Sequence, residues 1–233
     1  MEKEITHIVI GDIHGRTNWK ELIDVNKINI FVGDYFDPYE VYGFNELKSN
    51  FLEIIDYKKK YPNNFILLYG NHDYHYIDDY EKYSRYNIRK CREIKRLFEE
   101  NKQYFYGVCY YFDNYMVSHA GISKAWYEKL FGNEKFTLCM LEDLINTIWF
   151  EEKKRYKYFG FRSNAPTWDI YGEHKEHSPL WIRPQTLELN NLFDQNNVKQ
   201  IIGHTQVNDV YESNGLIYVD CLSNKTNCFK IKI

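Results

Sequence analysis

Short apolar runs alternate along this chain with longer polar segments of helical periodicity. Five of the runs, HIVIG, INIFVG, NFILLYG, YMVSHAG and KQIIGH, are rich in β-branched or aromatic residues and end near a glycine. Runs this short and this apolar are typical of buried strands. Between the early runs, the segments WKELIDVNK, FNELKSNFLEIIDYKKKY and YNIRKCREIKRLFEENKQ have the spacing of amphipathic helices. The alternation predicts an α/β layered domain.

The same pattern predicts how the chain is organised. We expect a single domain over residues 1–233, because no internal repeat and no Gly/Ser-rich or Pro-rich linker interrupts the chain. Two segments look like insertions: the tyrosine-rich segment 74–90 and a helical and loop insert at about 124–178. We expect both to lie over the ligand-binding face. The last apolar stretches, LIYVDCLSN and CFKIKI, predict a final hairpin in a second sheet.

Side chains with metal-binding chemistry follow the five apolar runs. Alone, any of them could be a helix cap, a turn residue or a buried histidine. Their shared position after a strand argues for one site, because the carboxyl ends of parallel strands meet at one edge of a sheet. The candidate metal ligands are Asp12, His14, Asp34, Asn71, His119 and His204.

This ligand set favours two divalent ions over one. Three imidazoles, two carboxylates and one amide oxygen exceed what a single tetrahedral ion can bind. Mixed nitrogen and oxygen ligands suit manganese, and also iron, zinc or cobalt, better than calcium or magnesium. A carboxylate that bridges two ions holds them about 3.5–4 Å apart, the spacing used for in-line attack on phosphorus by a hydroxide of lowered pKa.

Composition narrows the partners and the compartment. The net charge of -3 gives no general attraction to an anionic membrane and predicts no tight binding of duplex nucleic acid. No apolar segment is long enough to span a bilayer, and the start MEKEITHIVIGD does not read as a signal peptide. The five cysteines include no CxxC pair, so we expect reduced thiols and a cytoplasmic location. The sequence gives no oligomeric state.

The motifs GDIHG, GDYFD, GNHD, SHAG and GHT resemble those of the calcineurin-like metallophosphoesterases. The resemblance runs in order through nearly the whole chain and is strongest to the phosphoprotein phosphatase (serine/threonine phosphatase) branch and its bacterial and phage relatives. It implies a β-sandwich of two mixed sheets flanked by helices, with the metal site at the carboxyl ends of strands. It also implies the ligand assignment: Asp12 and His14 bind the first ion, Asp34 bridges, and Asn71, His119 and His204 bind the second.

The resemblance further implies two residues for proton transfer. His72 would protonate the leaving oxygen as general acid, and Asp37 would hydrogen-bond that imidazole and keep it protonated. The chain departs from the family pattern directly after Asp37. Phosphoprotein phosphatases commonly carry an arginine there, whereas this chain has Pro38 and Tyr39.

Two smaller departures accompany it. Asp73 stands where many phosphatases have Glu, and Gln206 stands where other metallophosphoesterases have a further histidine.

Arginines are the expected phosphate ligands, because their planar guanidinium suits bidentate contact with phosphate oxygens. Arg183, in SPLWIRP, is the first choice, since this stretch resembles one that carries a phosphate-binding arginine in the same branch. Arg16 is the second choice and Arg162 the third. His174 and His177 have ligand-like spacing but lie in a polar loop, where we expect them to be exposed.

The expected function is hydrolysis of phosphomonoesters by hydroxide bound to a dinuclear metal site, without a phosphoenzyme. Phosphoserine or phosphothreonine in proteins is the favoured substrate. A dinucleoside polyphosphate such as diadenosine tetraphosphate, or another nucleotide or nucleic-acid end, is the alternative, since the aromatic-rich insert could stack a base. A non-catalytic binding module is disfavoured, because the ligands, His72 and Asp37 are all present.

Overall fold

The computed structural model describes residues 4–78, 80–189, 192–193 and 198–232. Within these residues, nine strands form two sheets. The strands of the first sheet are β1 (Ile5–Ile10), β2 (Ile28–Phe31), β3 (Phe65–Leu67) and β9 (Phe229–Lys232), in the order β3-β2-β1-β9. The strands of the second sheet are β4 (Cys109–Phe112), β5 (Tyr115–Ser118), β6 (Lys199–Ile202), β7 (Tyr211–Ser213) and β8 (Leu216–Tyr218), in the order β4-β5-β6-β8-β7.

Helices flank this pair of sheets. They are α1 (Phe44–Lys60), α2 (Asn71–Ile77), α3 (Cys91–Asn101), α4 (Lys124–Phe131), α5 (Leu138–Phe150), α6 (Glu152–Phe159) and α7 (Pro184–Glu188). Short 3-10 turns cover Asn18–Glu21 and Lys102–Tyr104. The five predicted strands are all present, and α1 and α3 confirm two of the predicted helices. The segment WKELIDVNK, predicted to be a helix, forms only the first of the 3-10 turns.

The apolar layer between the sheets comes from the alternation of side chains along each strand. Val9 on β1 packs between the two sheets, where it meets residues such as Val117 and Ile201 of the second sheet. Its neighbours Ile8 and Ile10 point the other way and pack against the helices. This arrangement confirms the expected fold class of two mixed sheets flanked by helices.

Parallel pairing fixes where the functional residues lie. Strands β1, β2 and β3 are mutually parallel, and so are β5, β6 and β8. The carboxyl ends of three neighbouring strands therefore meet at one edge of each sheet. Close packing joins those edges: a Cβ added to Gly11, just after β1, would lie 2.2 Å from the carbonyl oxygen of Val219, just after β8.

The prediction of a final hairpin is wrong. Strand β8 pairs with β6 and β7 in the second sheet, whereas β9 pairs antiparallel with β1 in the first. The segment between them crosses from one sheet to the other. Both strands carry apolar residues that suit either sheet, so their pattern does not identify their partners.

The insert at 124–178 divides into two parts with different positions. Its helices α4 to α6 pack into the core on the helix side, through buried residues that include Trp126, Ile145, Trp149 and Phe159. The expectation that the whole insert covers the ligand face is therefore wrong for its helical half. The reason is the apolar stripe on α5, which is buried against the core. Only the following loop reaches the ligand face.

Two further features bear on the expected compartment. None of the described helices combines the length and the apolar composition that a bilayer crossing requires. The five cysteines lie in described parts of the chain, and all are free thiols.

Candidate metal centre and phosphate pocket

The six predicted metal ligands meet where the parallel strands end. They follow the ends of five strands, three in the first sheet and two in the second: Asp12 and His14 after β1, Asp34 after β2, Asn71 after β3, His119 after β5 and His204 after β6. Apart from the half-buried His204, all are at most 4% exposed. The structure thus brings together residues that lie almost 200 positions apart in the chain.

Three of these side chains enclose one candidate ion position. The Nε2 atom of His119 lies 2.7 Å from Asn71 Oδ1 and 3.2 Å from His204 Nδ1, and Asn71 Oδ1 lies 3.0 Å from His204 Nδ1. Atoms bonded to a common ion at about 2.1 Å lie roughly 3 Å apart. The three atoms are therefore spaced like neighbouring ligands of a single ion.

Asp34 lies between this group and the second one. Its Oδ2 atom is 3.5 Å from His119 Nε2 and also 3.5 Å from His14 Nε2. On the far side, His14 Nε2 is 3.9 Å from Asp12 Oδ2. A carboxylate at equal distance from both ligand groups occupies the position that bridging two ions requires.

The three histidines are held with a lone pair towards the centre. In each ring, the nitrogen that faces away contacts a main-chain carbonyl oxygen: His14 Nδ1 with Phe36 at 2.9 Å, His119 Nδ1 with Val32 at 3.0 Å and His204 Nε2 with Trp181 at 3.2 Å. A carbonyl oxygen only accepts, so each of these nitrogens donates. The opposite nitrogen is therefore unprotonated, as metal ligation needs.

Burial gives the centre the electrostatics of a cation site. It lowers the pKa of His14 and His204 well below the usual value and that of His119 to about 3. It raises the pKa of the Asp12 and Asp34 carboxyls, which also repel each other. Neutral imidazoles beside crowded carboxylates are stabilised by divalent cations. The residues present thus fit a pair of metal ions.

Glycines leave room for the ligands. A Cβ at position 70 would lie 2.2 Å from Asp34 Oδ1, and one at position 203 would lie 2.1 Å from Asp12 Oδ1. Any side chain at these two positions would collide with the carboxylate of Asp34 or Asp12, which explains the glycines in GNHD and GHT.

The backbone around the centre is unusual. Among the described residues, seven non-glycine residues have positive φ angles. Four of them are predicted site residues: His14 (φ 43°), Asp34 (57°), Asp37 (58°) and His204 (62°). Left-handed backbone costs an ordinary residue roughly 1–2 kcal/mol. Such strain is often concentrated at functional sites, where the surrounding structure enforces it.

Asp73 is one source of that enforcement. Its carboxylate accepts hydrogen bonds from the backbone N–H groups of Asp34 (2.8 Å), Tyr35 (3.0 Å) and Gly70 (2.8 Å). Burial raises the pKa of Asp73 to about 7, although these donors act in the opposite direction. Asp73 therefore fastens the start of α2 to the turn that presents Asp34.

A second buried cluster surrounds Asp37. Its Oδ2 atom lies 2.9 Å from His72 Nδ1 and 2.6 Å from His75 Nε2, and the Tyr76 hydroxyl donates to Oδ1. The Nε2 atom of His72 accepts a hydrogen bond from Arg85 Nη2 at 3.1 Å. Burial lowers the pKa of His72 to about 4, although Asp37 acts in the opposite direction. With Nδ1 on the Asp37 carboxylate and Nε2 accepting from Arg85, the ring is arranged here as a neutral imidazole. That Asp37 keeps His72 protonated during the reaction stays a prediction.

An open pocket of about 540 Å³ lies over the centre. Besides metal ligands and His72, its wall contains three arginines, Arg85, Arg162 and Arg183. Residues 80–85 and the loop around 161–171 supply much of the rest. These parts of the two insert-like segments therefore lie over the ligand face as expected.

A sequence model described as calcineurin-like phosphoesterase matches residues 5–208 of the chain. The chain belongs to this family. Its candidate metal-binding residues suit the dinuclear site that calcineurin-like phosphatases use.

Curated relatives include catalytic subunits of serine/threonine-protein phosphatase 4. That of Eremothecium gossypii is 33% identical over 114 residues, covering 40% of this chain and 35% of the relative. That of Saccharomyces cerevisiae is 35% identical over 101 residues, covering 37% and 31%. The chain thus matches about a third of the length of these relatives.

Solved structures share the fold. A cold-active protein-tyrosine phosphatase of a psychrophilic Shewanella has a TM-score of 0.54 at 18% identity, covering 94% of this chain and 72% of its own. A protein serine/threonine phosphatase from Saccharomyces cerevisiae has a TM-score of 0.58 at 17% identity, covering 94% and 67%. Identities this low establish likeness of fold alone.

The predicted phosphate-binding arginines of this chain have different surroundings. Arg183 lines the pocket, with Nε donating to the carbonyl oxygen of Tyr171 at 2.8 Å. Arg162 is exposed in the pocket wall. Arg16 is only 4% exposed, pairs with Glu40 at 2.9 Å, and is not among the residues that line the pocket. The geometry favours Arg183 and gives no support to Arg16.

Asp220 also lies at the centre, although it is not among the predicted site residues. This residue lies two positions after β8, is 1% exposed, and faces Asp12 across the junction of the two sheets. Burial raises the pKa of Asp220 to about 6, while nearby Arg16 acts in the opposite direction. Its signal was present in the sequence: LIYVD is an apolar run followed by aspartate, like the run before Asp12.

The prediction that His174 and His177 are exposed is wrong for His177. This imidazole is fully buried and its Nε2 lies 2.9 Å from Asp169 Oδ2, while His174 is half-buried. Asp169 also accepts hydrogen bonds from four backbone N–H groups: those of Tyr171, Gly172, Glu173 and His174. These donors lower the pKa of Asp169 to about 2, although burial alone would raise it. The loop is ordered by buried polar contacts that its composition does not reveal.

We expect Asp169→Ala to lower the free energy of unfolding by about 2–4 kcal/mol, because it leaves several buried donors without an acceptor. Asp169→Asn, which keeps one acceptor oxygen, should lose less. Urea denaturation at pH 7 measures both, with the exposed Asp143→Asn on α5 as control. A native pKa of about 2 is below the unfolded value, so the stabilisation by Asp169 is full at pH 7 and lost as pH falls from about 5 to about 2. Wild-type stability in the Ala variant would contradict this role.

Proposed function

We propose that this chain is a two-metal phosphatase that hydrolyses phosphomonoesters, with phosphoserine or phosphothreonine in proteins as substrate. The observation that carries the proposal is the position of Asp34, whose Oδ2 atom is 3.5 Å from both His14 Nε2 and His119 Nε2. One carboxylate between two sets of neutral imidazoles is the arrangement of a dinuclear centre.

The residues divide between the two ions as the family resemblance implies. Asp12 and His14 would hold the first ion, and Asn71, His119 and His204 the second, with Asp34 shared. Manganese is our choice, with iron, zinc or cobalt as alternatives, because the donors are nitrogen and oxygen without thiolate. When bound, the pair would supply a water of lowered pKa as nucleophile and neutralise phosphate charge.

The remaining steps fall to side chains of the pocket. His72 has its Nδ1 on Asp37 and its Nε2 towards the pocket, so Nε2 is the atom that would protonate the leaving oxygen. A bound phosphate dianion favours the imidazolium, since a nearby negative charge raises a histidine pKa. Asp37 orients the ring, and His75 and Tyr76 hold Asp37. Arg183 would contact a phosphate oxygen.

The substrate assignment rests on the fungal relatives, which are named as serine/threonine-protein phosphatases. Nucleotides are a second candidate because of the aromatic pocket mouth. Tyr39, Tyr80 and Tyr171 line the pocket and are each more than half exposed. Such rings could stack a base. We also propose that residues 1–233 form one domain and act in the cytoplasm, where the five free thiols would stay reduced.

Substrate preference tests this proposal. We expect the manganese-loaded protein to release phosphate from a phosphothreonine peptide with a higher kcat/KM than from p-nitrophenyl phosphate or diadenosine tetraphosphate. The metal-free protein is the control. A preference for the dinucleotide would instead indicate that the same centre hydrolyses nucleotides. Two bound ions without turnover of any of the three would favour a binding module.

A further inference from the structure

The pocket contains an arginine at the place that the GDYFD motif leaves empty. The family arginine after the second aspartate is missing, and Pro38 and Tyr39 follow Asp37 instead. Arg85, from the loop between α2 and α3, reaches this position in space. Its Nε donates to the carbonyl oxygen of Asp37 at 3.2 Å. The guanidinium is thus anchored on the same turn from which the family arginine would extend.

Tyr39 supports the guanidinium from below. The Cζ atom of Arg85 lies 3.5 Å from the centre of the Tyr39 ring. Arginine stacks well on aromatic faces. The contact restricts the rotamers of the long side chain and leaves its positive charge intact. Tyr39, one of the two residues that follow Asp37 in place of the family arginine, therefore packs against the guanidinium of Arg85.

Arg85 also reaches the site of reaction. Its Nη2 donates to His72 Nε2 at 3.1 Å, and His72 directly follows the predicted ligand Asn71. Arg183 lines the pocket beside His204, and its Nη1 donates to the carbonyl oxygen of His204 at 3.4 Å. A phosphate above the two ion positions would thus meet the guanidinium of Arg85 on the side of His72 and that of Arg183 on the side of His204.

The backbone of Arg85 points to the same conclusion. Its φ angle is 62°, so it adopts the left-handed conformation that ordinary residues avoid. Arg16 provides the contrast, since it is buried, pairs through Nε with Glu40 and is not among the residues that line the pocket. Arg85 is exposed to the pocket, where an anion can reach it.

We propose that Arg85 binds the substrate phosphate and replaces, from a different part of the chain, the arginine missing after Asp37. On phosphate binding, Nη2 would exchange the neutral nitrogen of His72 for an anionic oxygen. The freed Nε2 of His72 would then take up a proton from solvent and pass it to the leaving oxygen. A charge-assisted hydrogen bond to phosphate is stronger than one between neutral groups. This inference rests on the proposed phosphatase function.

The test measures binding of inorganic phosphate to the manganese-loaded protein by calorimetry, together with its inhibition of p-nitrophenyl phosphate hydrolysis. We expect Arg85→Ala to weaken phosphate binding about 10- to 100-fold, which is the worth of one hydrogen bond to a charged group. Arg85→Lys should lose less, because it keeps the charge but not the planar fork. Arg92→Ala, an exposed arginine on α3, is the matched control and should bind as wild type does.

Two further readouts separate phosphate contact from other roles. The variant should keep two manganese ions per chain, and its loss should appear mainly in KM and be equal for good and poor leaving groups. Wild-type phosphate affinity in Arg85→Ala would overturn the inference, and so would a loss that follows leaving-group quality, since that would mean Arg85 acts only through His72. A wild-type protein that neither binds nor releases phosphate would overturn the proposed function, and this inference with it.

Discussion

Asp34→Asn should abolish phosphate release and leave the protein unable to hold two ions. Asparagine keeps the size of the side chain, an oxygen to accept the His72 N–H bond, and tolerance of left-handed backbone. It lacks the negative charge and the second anionic oxygen that a bridge between ions needs. The loss of metal affinity should exceed the roughly 10- to 100-fold cost of losing an outer hydrogen-bond partner of a ligand.

Metal content after equilibrium dialysis and turnover of p-nitrophenyl phosphate measure this effect. Asp143→Asn on the exposed face of α5 is the matched control and should retain both. Thermal unfolding of the metal-free proteins separates lost binding from a damaged fold. Near-normal turnover with two ions in Asp34→Asn would refute the bridging position.

His72→Asn should retain both ions yet hydrolyse alkyl phosphates about 10²- to 10⁴-fold more slowly, the usual contribution of a general acid. The reason is the leaving group: an alkoxide needs a proton as it departs, whereas p-nitrophenolate leaves as an anion. The loss for p-nitrophenyl phosphate should therefore be much smaller. The ratio of kcat for the two substrates reports the role of His72, because this ratio does not depend on the absolute activity of the preparation.

His174→Asn is the matched control, because His174 lies half-buried in the loop that follows Asp169. It should leave the ratio of the two rates unchanged. An equal loss for alkyl and p-nitrophenyl phosphates in His72→Asn would assign His72 to positioning rather than to proton transfer.

The grouping of the candidate metal ligands could be predicted from the sequence because its signals are local. Each predicted ligand lies within a few residues of the end of an apolar strand. One short motif therefore indicates both the strand and the side chain that follows it. Parallel pairing then brings the ends together without further information. Asp220 also follows an apolar strand. That strand, β8, was predicted to be part of a final hairpin and so was not counted among the parallel strands whose ends meet.

Arg85 and His177 could not be predicted in this way. Arg85 functions through contacts with Tyr39, Asp37 and His72, and nothing in the loop around it indicates that it turns back towards the GDYFD motif. His177 is buried because Asp169 satisfies it, eight residues away within a polar loop. Buried polar networks depend on tertiary geometry, which local composition does not encode.

The joint origin of the ligands ties metal affinity to folding. Asp12, His14, Asp34 and Asn71 come from the first sheet, and His119 and His204 from the second. An unfolded chain offers no such group of donors, so ions held by these residues would bind only after the two sheets have packed against each other. Free ions at a thousand times their dissociation constant would then add about 4 kcal/mol to the stability of the native state. The ions would act as a clamp between the two halves of the sandwich, and a chelator would loosen the fold itself as well as stopping the reaction.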